Sequence, residues 1–446
     1  MSPYAAVSLR RNRFMKTKMT RRDFARNCAV AGMLAGTGGC AIAPQPIVGS
    51  RLPPWRRGQL QLHFIYAGSS ESVFMIMPDG TSMLVDVGDY DVGGNWKCCN
   101  PVDTLGGRGP GRFVADYIRK VNPHGRKVDY WMLTHYHADH GGCEISYSRR
   151  DMRDGEVWFS GGLAELIDHI DFGKGFDRCW PNLADPFPVK DTTVRQFAHI
   201  SRTYRYLERT RGFKIEKFRV GERDQIRLVH EPSAFPDFDI LNICGNGVIR
   251  TRDGSTRNLY EGFVPKSDIE GWRRENGLSL GFIATYGGFR FYTAGDFQDF
   301  WTRPDGTAFQ LEDELAPELD RVDVAKTNHH ASDSMTAALV KSLAAKVWVT
   351  CSVSCYSNMP PALGRLTDRS IYPDERLIAP TYYHLRERIA EMGEERAKRD
   401  IAVESYSPSH VVVTVDRNAG EYDLAYLKGD DSLEVKSIRK FSVHKN

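Results

Sequence analysis

Thr134-His135-Tyr136-His137-Ala138-Asp139-His140-Gly141-Gly142-Cys143 decides how the rest of the chain is read. Imidazole and carboxylate groups at the spacing H-x-H-x-D-H suit a borderline-hard divalent ion: zinc, manganese or iron. The preceding run Val128-Asp129-Tyr130-Trp131-Met132-Leu133-Thr134 is apolar, aromatic and β-branched, which predicts a buried strand. The ligand-type residues then fall on the loop where that strand ends, and Gly141-Gly142 permits a tight turn. His135 and His137 can face one metal while Asp139 and His140 face a second beside it. A polar loop with hydrogen-bonded histidines is the competing explanation. It suits a lone histidine better than four ligand-type side chains within six residues.

Three further strand ends carry matching chemistry. Leu60–Tyr66, Val73–Met77 and Ser82–Val85 are predicted strands, the last two joined through the turn pair Asp79-Gly80 and the last delivering Asp86. Phe113, Val114, Tyr117, Ile118 and Val121 repeat at helical spacing, predicting an amphipathic helix over 112–121. Asn276–Thr285 and Phe289–Ala294 are predicted strands, the second ending in Gly295-Asp296. Val322–Lys326 ends in Asn328-His329-His330. Helices are expected over 309–320, 335–345 and 382–398, with further strands at 347–351, 410–415 and 422–427. Strands interleaved with helices in both halves point to an α/β sandwich with helices outside two sheets. Strand ends converge on one sheet edge. Asp296 is placed to bridge two metals, and one of His329 and His330 can complete the second metal while its neighbour faces the substrate. Paired metals lower the pKa of a shared water and stabilise charge developing on an oxyanion or phosphoryl oxygen.

Composition sets bounds on function. The 446 residues are 41% apolar and 26% charged, as in an ordinary soluble globular protein. Residues 1–26 hold eight Lys/Arg against one Asp, a net +7, which leaves about −4 on the remainder of a chain whose total is +3. A body of that charge does not advertise nucleic acid. Arg202, Arg205, Arg209 and Arg211 form one basic cluster, for which a solvated helix face is the simpler explanation.

The basic N-terminus has its own meaning. Thr20-Arg21-Arg22-Asp23-Phe24 followed by the small, apolar run Ala29–Cys40 reads as a twin-arginine export signal over 1–43, too short to span a membrane. Ala41-Ile42-Ala43 resembles a cleavage site, and Cys40 is a candidate for lipid attachment despite Thr37 in the lipobox place. The expected location is periplasmic or otherwise extracytoplasmic, with membrane contact expected only through the signal or a lipid at Cys40. Beyond the signal stand seven cysteines, Cys98, Cys99, Cys143, Cys179, Cys244, Cys351 and Cys355, an odd number that leaves at least one outside any internal disulfide. Residues 44–58 are expected to be a linker and 431–446 a C-terminal tail. The weakly patterned stretch of about 144–275 is expected to be an insertion rimming the site.

Taken together, Leu84–Asp89, Thr134–His140, Asn276–Leu280, Thr293–Asp296 and Lys326–His330 resemble, in their order, the metallo-β-lactamase superfamily, and within it the ComEC-like branch. The Asn328-His329-His330 segment also resembles the phosphorylcholine esterases of that fold. The resemblance covers about residues 59–430 and implies an αββα sandwich, two mixed sheets with helices outside. It implies a hydrolase holding two divalent ions, zinc or else manganese. Carried over by position, His135 and His137 bind one ion, Asp139 and His140 the other, Asp296 bridges and His330 completes the second. Asp139 and His329 would act in catalysis, Asn328 and His329 would meet the substrate, and Asp86 would orient the metal loop from behind. Many members add a third histidine to the first ion. His169, His199 and His230 are the candidates in this chain, and none has the expected Gly-His context.

The function so implied is an exported hydrolase, most readily a phosphodiesterase acting on a small-molecule or cell-envelope phosphoester with metal-activated hydroxide. An extracellular nuclease of the ComEC type is the second expectation. A non-catalytic metal-binding or partner-binding domain is the third.

Overall fold

Alternation of apolar residues builds two sheets that share one core. Leu60, Leu62 and Phe64 point to one face of the strand Gln59–Phe64, as do Val73 and Met75 in Val73–Ile76. Their neighbours Phe74, Ile76 and Leu84 point to the opposite face, where the helix Pro110–Val121 buries Phe113, Val114, Tyr117 and Ile118. The second sheet repeats the rule. Phe282, Ala284, Phe289, Phe291, Val347 and Val349 face the first sheet, while Ile283, Tyr292, Ala325 and Trp348 face helices Ala337–Leu343 and Pro360–Thr367. Three apolar layers therefore separate helix, sheet, sheet and helix, the layered α/β sandwich that such patterning demands.

The structure is a computed structural model that describes residues 45–90, 100–143, 149–153, 156–187, 192–261, 271–303, 305–417 and 420–444. Apart from Gln45 these belong to one compact unit, Pro46–Asn446. The expected export signal over 1–43, with Arg21, Arg22 and Cys40, lies outside the described residues, as do Cys98 and Cys99.

The first sheet has nine strands in the order Val435–Ser442, Glu421–Lys428, Ser409–Asp416, Gln59–Phe64, Val73–Ile76, Ser82–Val85, Lys127–Met132, Asp171–Asp177, Lys214–Lys217. The second has eight, in the order Thr256–Asn258, Val248–Arg250, Phe238–Gly245, Gly281–Tyr286, Phe289–Thr293, Val324–Lys326, Val347–Thr350, Leu377–Pro380. Each sheet is mixed. Pairing is antiparallel up to Ser82–Val85 in one and up to Phe289–Thr293 in the other, then parallel to the far edge. The parallel strands bring their carboxyl ends to a common rim, where open α/β sheets place their ligands.

Several sequence boundaries move. The stretch 144–275 is not an insertion outside the core. Asp171–Asp177 and Lys214–Lys217 extend the first sheet, and Phe238–Gly245, Val248–Arg250 and Thr256–Asn258 extend the second. The glycines and lysines of Asp171–Asp177 and Lys214–Lys217 hide their strand pattern, and pairing with the parallel edge of the first sheet supplies what local propensity lacks. Val435–Ser442 is the edge strand of the first sheet rather than part of a tail. Within the expected linker, Gly49 and Leu52 pair through their amides with Val435 and Leu433. The helix expected over 382–398 breaks at Gly393, φ 82°, into Leu385–Met392 and Glu394–Lys398. The strand expected from Asn276 begins only at Gly281, after a short helix Gly271–Asn276.

Candidate metal centre

The strand Lys127–Met132 runs into Thr134, and the chain then turns through the short helix Ala138–Gly141. Neighbouring backbone holds this loop. Val87, Asp89 and Glu71 donate their amides to the carbonyls of His140, Ala138 and Asp139, each at 2.8 Å. So close an approach requires Gly88, since a Cβ there would sit 1.8 Å from the Asp139 carbonyl oxygen. On the other side the Tyr136 amide donates to Glu275, a fully buried carboxylate that also takes two hydrogen bonds from the buried Arg178 guanidinium. Asp86, held at φ 60°, accepts from the Thr134 amide and hydroxyl and from His140 Nδ1, the last at 2.7 Å.

The residues expected as ligands meet at one point. Asp296 Oδ2 lies 3.2 Å from His140 Nε2, 3.3 Å from His330 Nε2 and 3.9 Å from His135 Nε2. Asp139 Oδ2 is 3.2 Å from His330 Nε2 and 3.9 Å from His140 Nε2. His135 Nε2 and His137 Nδ1 are 3.0 Å apart. A tetrahedral ion with ligand bonds of about 2.0–2.2 Å separates its ligand atoms by roughly 3.3–3.6 Å, so these distances fit metal coordination. Two groups of side chains in this cluster can each hold an ion, and both include Asp296. His137 Nε2, His140 Nε2, His330 Nε2 and Asp296 Oδ1 are buried with no hydrogen-bond partner among the described residues. Buried polar atoms are rarely left so, and a cation shared among them accounts for three at the centre.

Electrostatics agree. Burial opposes charge on His140 and His330, yet the Asp296 carboxylate with Asp139 beside it outweighs burial and holds both imidazoles well above their ordinary range. Burial likewise opposes charge on Asp296, and His140 and His330 outweigh it, keeping the carboxyl far below its usual value. His135 moves the other way, depressed by burial and by neighbouring imidazoles. In the bare protein, protons on His140 and His330 do the neutralising that a divalent ion does when bound.

His329, His330 and Ala331 are consecutive left-handed residues, with φ of 42°, 51° and 54°. Each costs on the order of 1–3 kcal/mol, and strain of this kind gathers at functional sites. It turns the two adjacent histidines to different tasks. His330 aims Nε2 at the centre and donates from Nδ1 to the Cys351 carbonyl at 2.9 Å. His329 has Nδ1 2.6 Å from Asp333 and lines a cavity of about 520 Å³ that opens onto Asp139, Asp296 and His330. Tyr90, Gln196, Ser332, Ser354 and Tyr356 contribute to the walls.

Asn328 does not reach that cavity. It is wholly buried, its amide donating to Phe297 and Glu312 and its oxygen accepting from Tyr292, so its expected contact with substrate is corrected. The strained turn that presents His329 drives its neighbour into the core. His169, His199 and His230 sit elsewhere, at Arg112, the Gly161 carbonyl and Asp129, so none of the three candidates joins the His135–His137 pair. Arg205, Arg209 and Arg211 lie on the exposed face of helix Thr192–Arg211, whose buried face presses Ile200 toward Gly141. Cys179, Cys244 and Cys351 are free thiols, and Cys355 is disulfide-bonded.

Sequence reasoning missed Glu71, Lys326, Glu275 and Arg178. Lys326 ends an apolar strand and Glu71 stands between two of them. A charge in such a setting requires a partner, and that is the signal that could have paired them.

No family model and no curated protein matches the chain. Among solved structures, it is similar to a protein of Parabacteroides distasonis ATCC 8503 provisionally named a metal-dependent hydrolase, at 13% identity and TM-score 0.32, over 72% of this chain and 92% of that one. At that score the likeness carries no argument about fold or chemistry.

Proposed function

We propose that the chain is a hydrolase of the metallo-β-lactamase type that works with two divalent metal ions and cleaves phosphoesters, phosphodiesters foremost. The observation that carries the reading is the position of Asp296 Oδ2, within 3.9 Å of His135, His140 and His330 Nε2 at once. One carboxylate oxygen so placed suits a bridge between two ions. His135 and His137 would hold one ion, and Asp139, His140 and His330 the other. Such ions, when bound, lower the pKa of water toward neutrality and offset negative charge on a phosphoryl oxygen. The remaining work falls to the protein. Asp86 and Glu275 fix the loop that carries four ligands. The Asp139 carboxylate, 15% exposed and on the cavity wall, would face a substrate held there and orient its attacking water. His329, turned by Asp333, lines the same cavity, where it would contact the substrate.

The ComEC-like sequence order supports a phosphoester substrate, and the twin-arginine pattern supports one met outside the cytoplasm. A nuclease reading gains nothing from the arginine cluster, since none of its members lines the cavity among the described residues. Zinc- or manganese-loaded protein should cleave a chromogenic phosphodiester, and Asp296→Ala or His140→Ala should abolish the activity. Fully loaded protein inactive across phosphodiesters would sink the substrate assignment. Export is tested separately. Arg21→Lys with Arg22→Lys should hold the protein in the cytoplasm, and unaltered export refutes that part.

A further inference from the structure

Behind the metal centre lies an ion pair that none of the ligand assignments uses. Lys326 and Glu71 are both buried, at 0% and 1% side-chain exposure, with Lys326 Nζ 2.6 Å from Glu71 Oε1 and 2.8 Å from Oε2. The same ammonium donates to the Gly295 carbonyl at 3.0 Å, one residue before Asp296. The Glu71 amide donates to the Asp139 carbonyl, and Glu71 Oε2 stands 3.2 Å from His330 Nδ1. One pair thus touches the supports of three ligands. Glu71 lies close enough to His140, Asp296 and His330 to be counted as a ligand itself. Two facts argue otherwise. Both its oxygens are engaged by Lys326, and it meets the Nδ1 edge of His330, whereas Asp139 and Asp296 meet Nε2.

The two halves of the centre are unequally supported. His140 and His330 each have a buried carboxylate beside Nδ1, Asp86 at 2.7 Å and Glu71 at 3.2 Å, and at His330 Glu71 shares that edge with the Cys351 carbonyl, which takes the Nδ1 hydrogen bond at 2.9 Å. His135 Nδ1 meets only the neutral Thr134 hydroxyl at 3.1 Å, and the outer nitrogen of His137 has no partner among the described residues. A carboxylate behind an imidazole fixes its tautomer and orientation and raises its basicity as a ligand. We infer that Glu71, clamped by Lys326, is a positioning residue for His330, and that with Asp86 behind His140 it makes the Asp139–His140–Asp296–His330 half of the centre load before the His135–His137 half. This inference rests on the metal-centre reading above and orders its two sites.

Metal-free full-length protein is titrated with Zn2+ against a chromophoric chelator, with bound metal counted by elemental analysis. The wild type should take up two equivalents in two resolved steps. Glu71→Gln should weaken the tighter step roughly 10–100-fold and leave the weaker one in place. His137→Ala should remove the weaker step and spare the tighter. A half-broken buried pair can unfold a protein, so the neutral pair Glu71→Gln with Lys326→Met is made as well. It should recover the melting temperature of the metal-free wild type without recovering the tight step. Tight binding within twofold of wild type in Glu71→Gln overturns the inference, as does loss of the tighter step in His137→Ala. Uptake of two equivalents in one unresolved step also overturns it. A wild type that takes up no metal overturns the centre itself, and the inference with it.

Discussion

His140 Nδ1 lies 2.7 Å from Asp86 Oδ2, and the same carboxylate takes the Thr134 amide and hydroxyl, so one buried acid sets both the imidazole and the strand end that carries the metal loop. Asp86→Asn keeps the shape and removes the charge. Metal affinity should fall roughly 10–100-fold, with the proposed phosphodiesterase activity following it at limiting metal. Chelator competition measures the first and a chromogenic diester the second. Unchanged affinity would show that Asp86 serves the fold alone.

Gly88 and Gly364 make a matched pair of substitutions. A Cβ at Gly88 would overlap the Asp139 backbone at 1.8 Å, and backbone cannot swing aside as a side chain can. Gly88→Ala should cost on the order of 2–3 kcal/mol and empty the site of metal. Gly364, inside helix Pro360–Thr367, has nothing within 4 Å of a built Cβ. Gly364→Ala should be neutral or stabilising by up to about 1 kcal/mol. Urea denaturation of both variants decides. Equal stability would mean the loop gives way at Gly88.

The candidate ligands were legible because metal chemistry restricts residue type and spacing within a few positions, as from His135 to His140. Asp86, Asp296 and His330 were legible because each follows an apolar strand with a clear end. What supports them was not. Glu275 meets Tyr136 across 139 positions and Lys326 meets Glu71 across 255, and nothing local marks a pairing decided by how two sheets stack. Asn328 misled for the opposite reason. Its place beside two functional histidines suggested a shared role, but a left-handed turn separates neighbours that a strand or helix would keep in register. The strands hidden in 144–275 form because a sheet edge accepts them, a tertiary cause.

Glu312 is fully buried, and burial pushes its carboxyl up to about 7 although the Thr336 and Met335 amides and the Asn328 side chain all donate to it. Between its unfolded value and the folded one, the folded protein holds a proton that the unfolded chain has released. Stability therefore falls as pH rises through about 4.5 to 7, by on the order of 3 kcal/mol in all. Glu312→Gln should abolish that slope, at the expense of one hydrogen bond. Urea midpoints at pH 5 and 7.5 test it, and an equal slope in both proteins assigns the pH dependence elsewhere.

His329 is set apart from the ligands by its bond to Asp333 and its place on the cavity wall. A side chain that contacts the reacting part of a substrate is worth roughly 10²–10³ in kcat. His329→Ala should lose about that much while binding metal as the wild type does. Asp333→Asn, which keeps the ring but loosens its aim, should lose less. If His329→Ala also loses metal, the order of the two histidines is reversed, and His329 is the ligand.

Stoichiometry distinguishes a bridging carboxylate from a terminal ligand. Asp296 Oδ2 is within reach of His135 on one side and of His140 and His330 on the other, whereas His135 Nε2 lies nearest His137 Nδ1, at 3.0 Å. Removing a terminal ligand should empty one position, and removing the bridge should weaken both. His135→Ala should therefore retain about one equivalent of tightly held metal, and Asp296→Ala well under one. Both variants should be inactive, since the hydrolysis proposed needs both ions. Thermal stability adds a second reading. Asp296→Ala also takes away the carboxylate that neutralises His140 and His330 in the metal-free protein, so its melting temperature should stop responding to added Zn2+, while that of His135→Ala should still rise. One tightly bound equivalent in Asp296→Ala would mean that Asp139, His140 and His330 suffice for an ion, and Asp296 would then be a terminal ligand of the His135–His137 half.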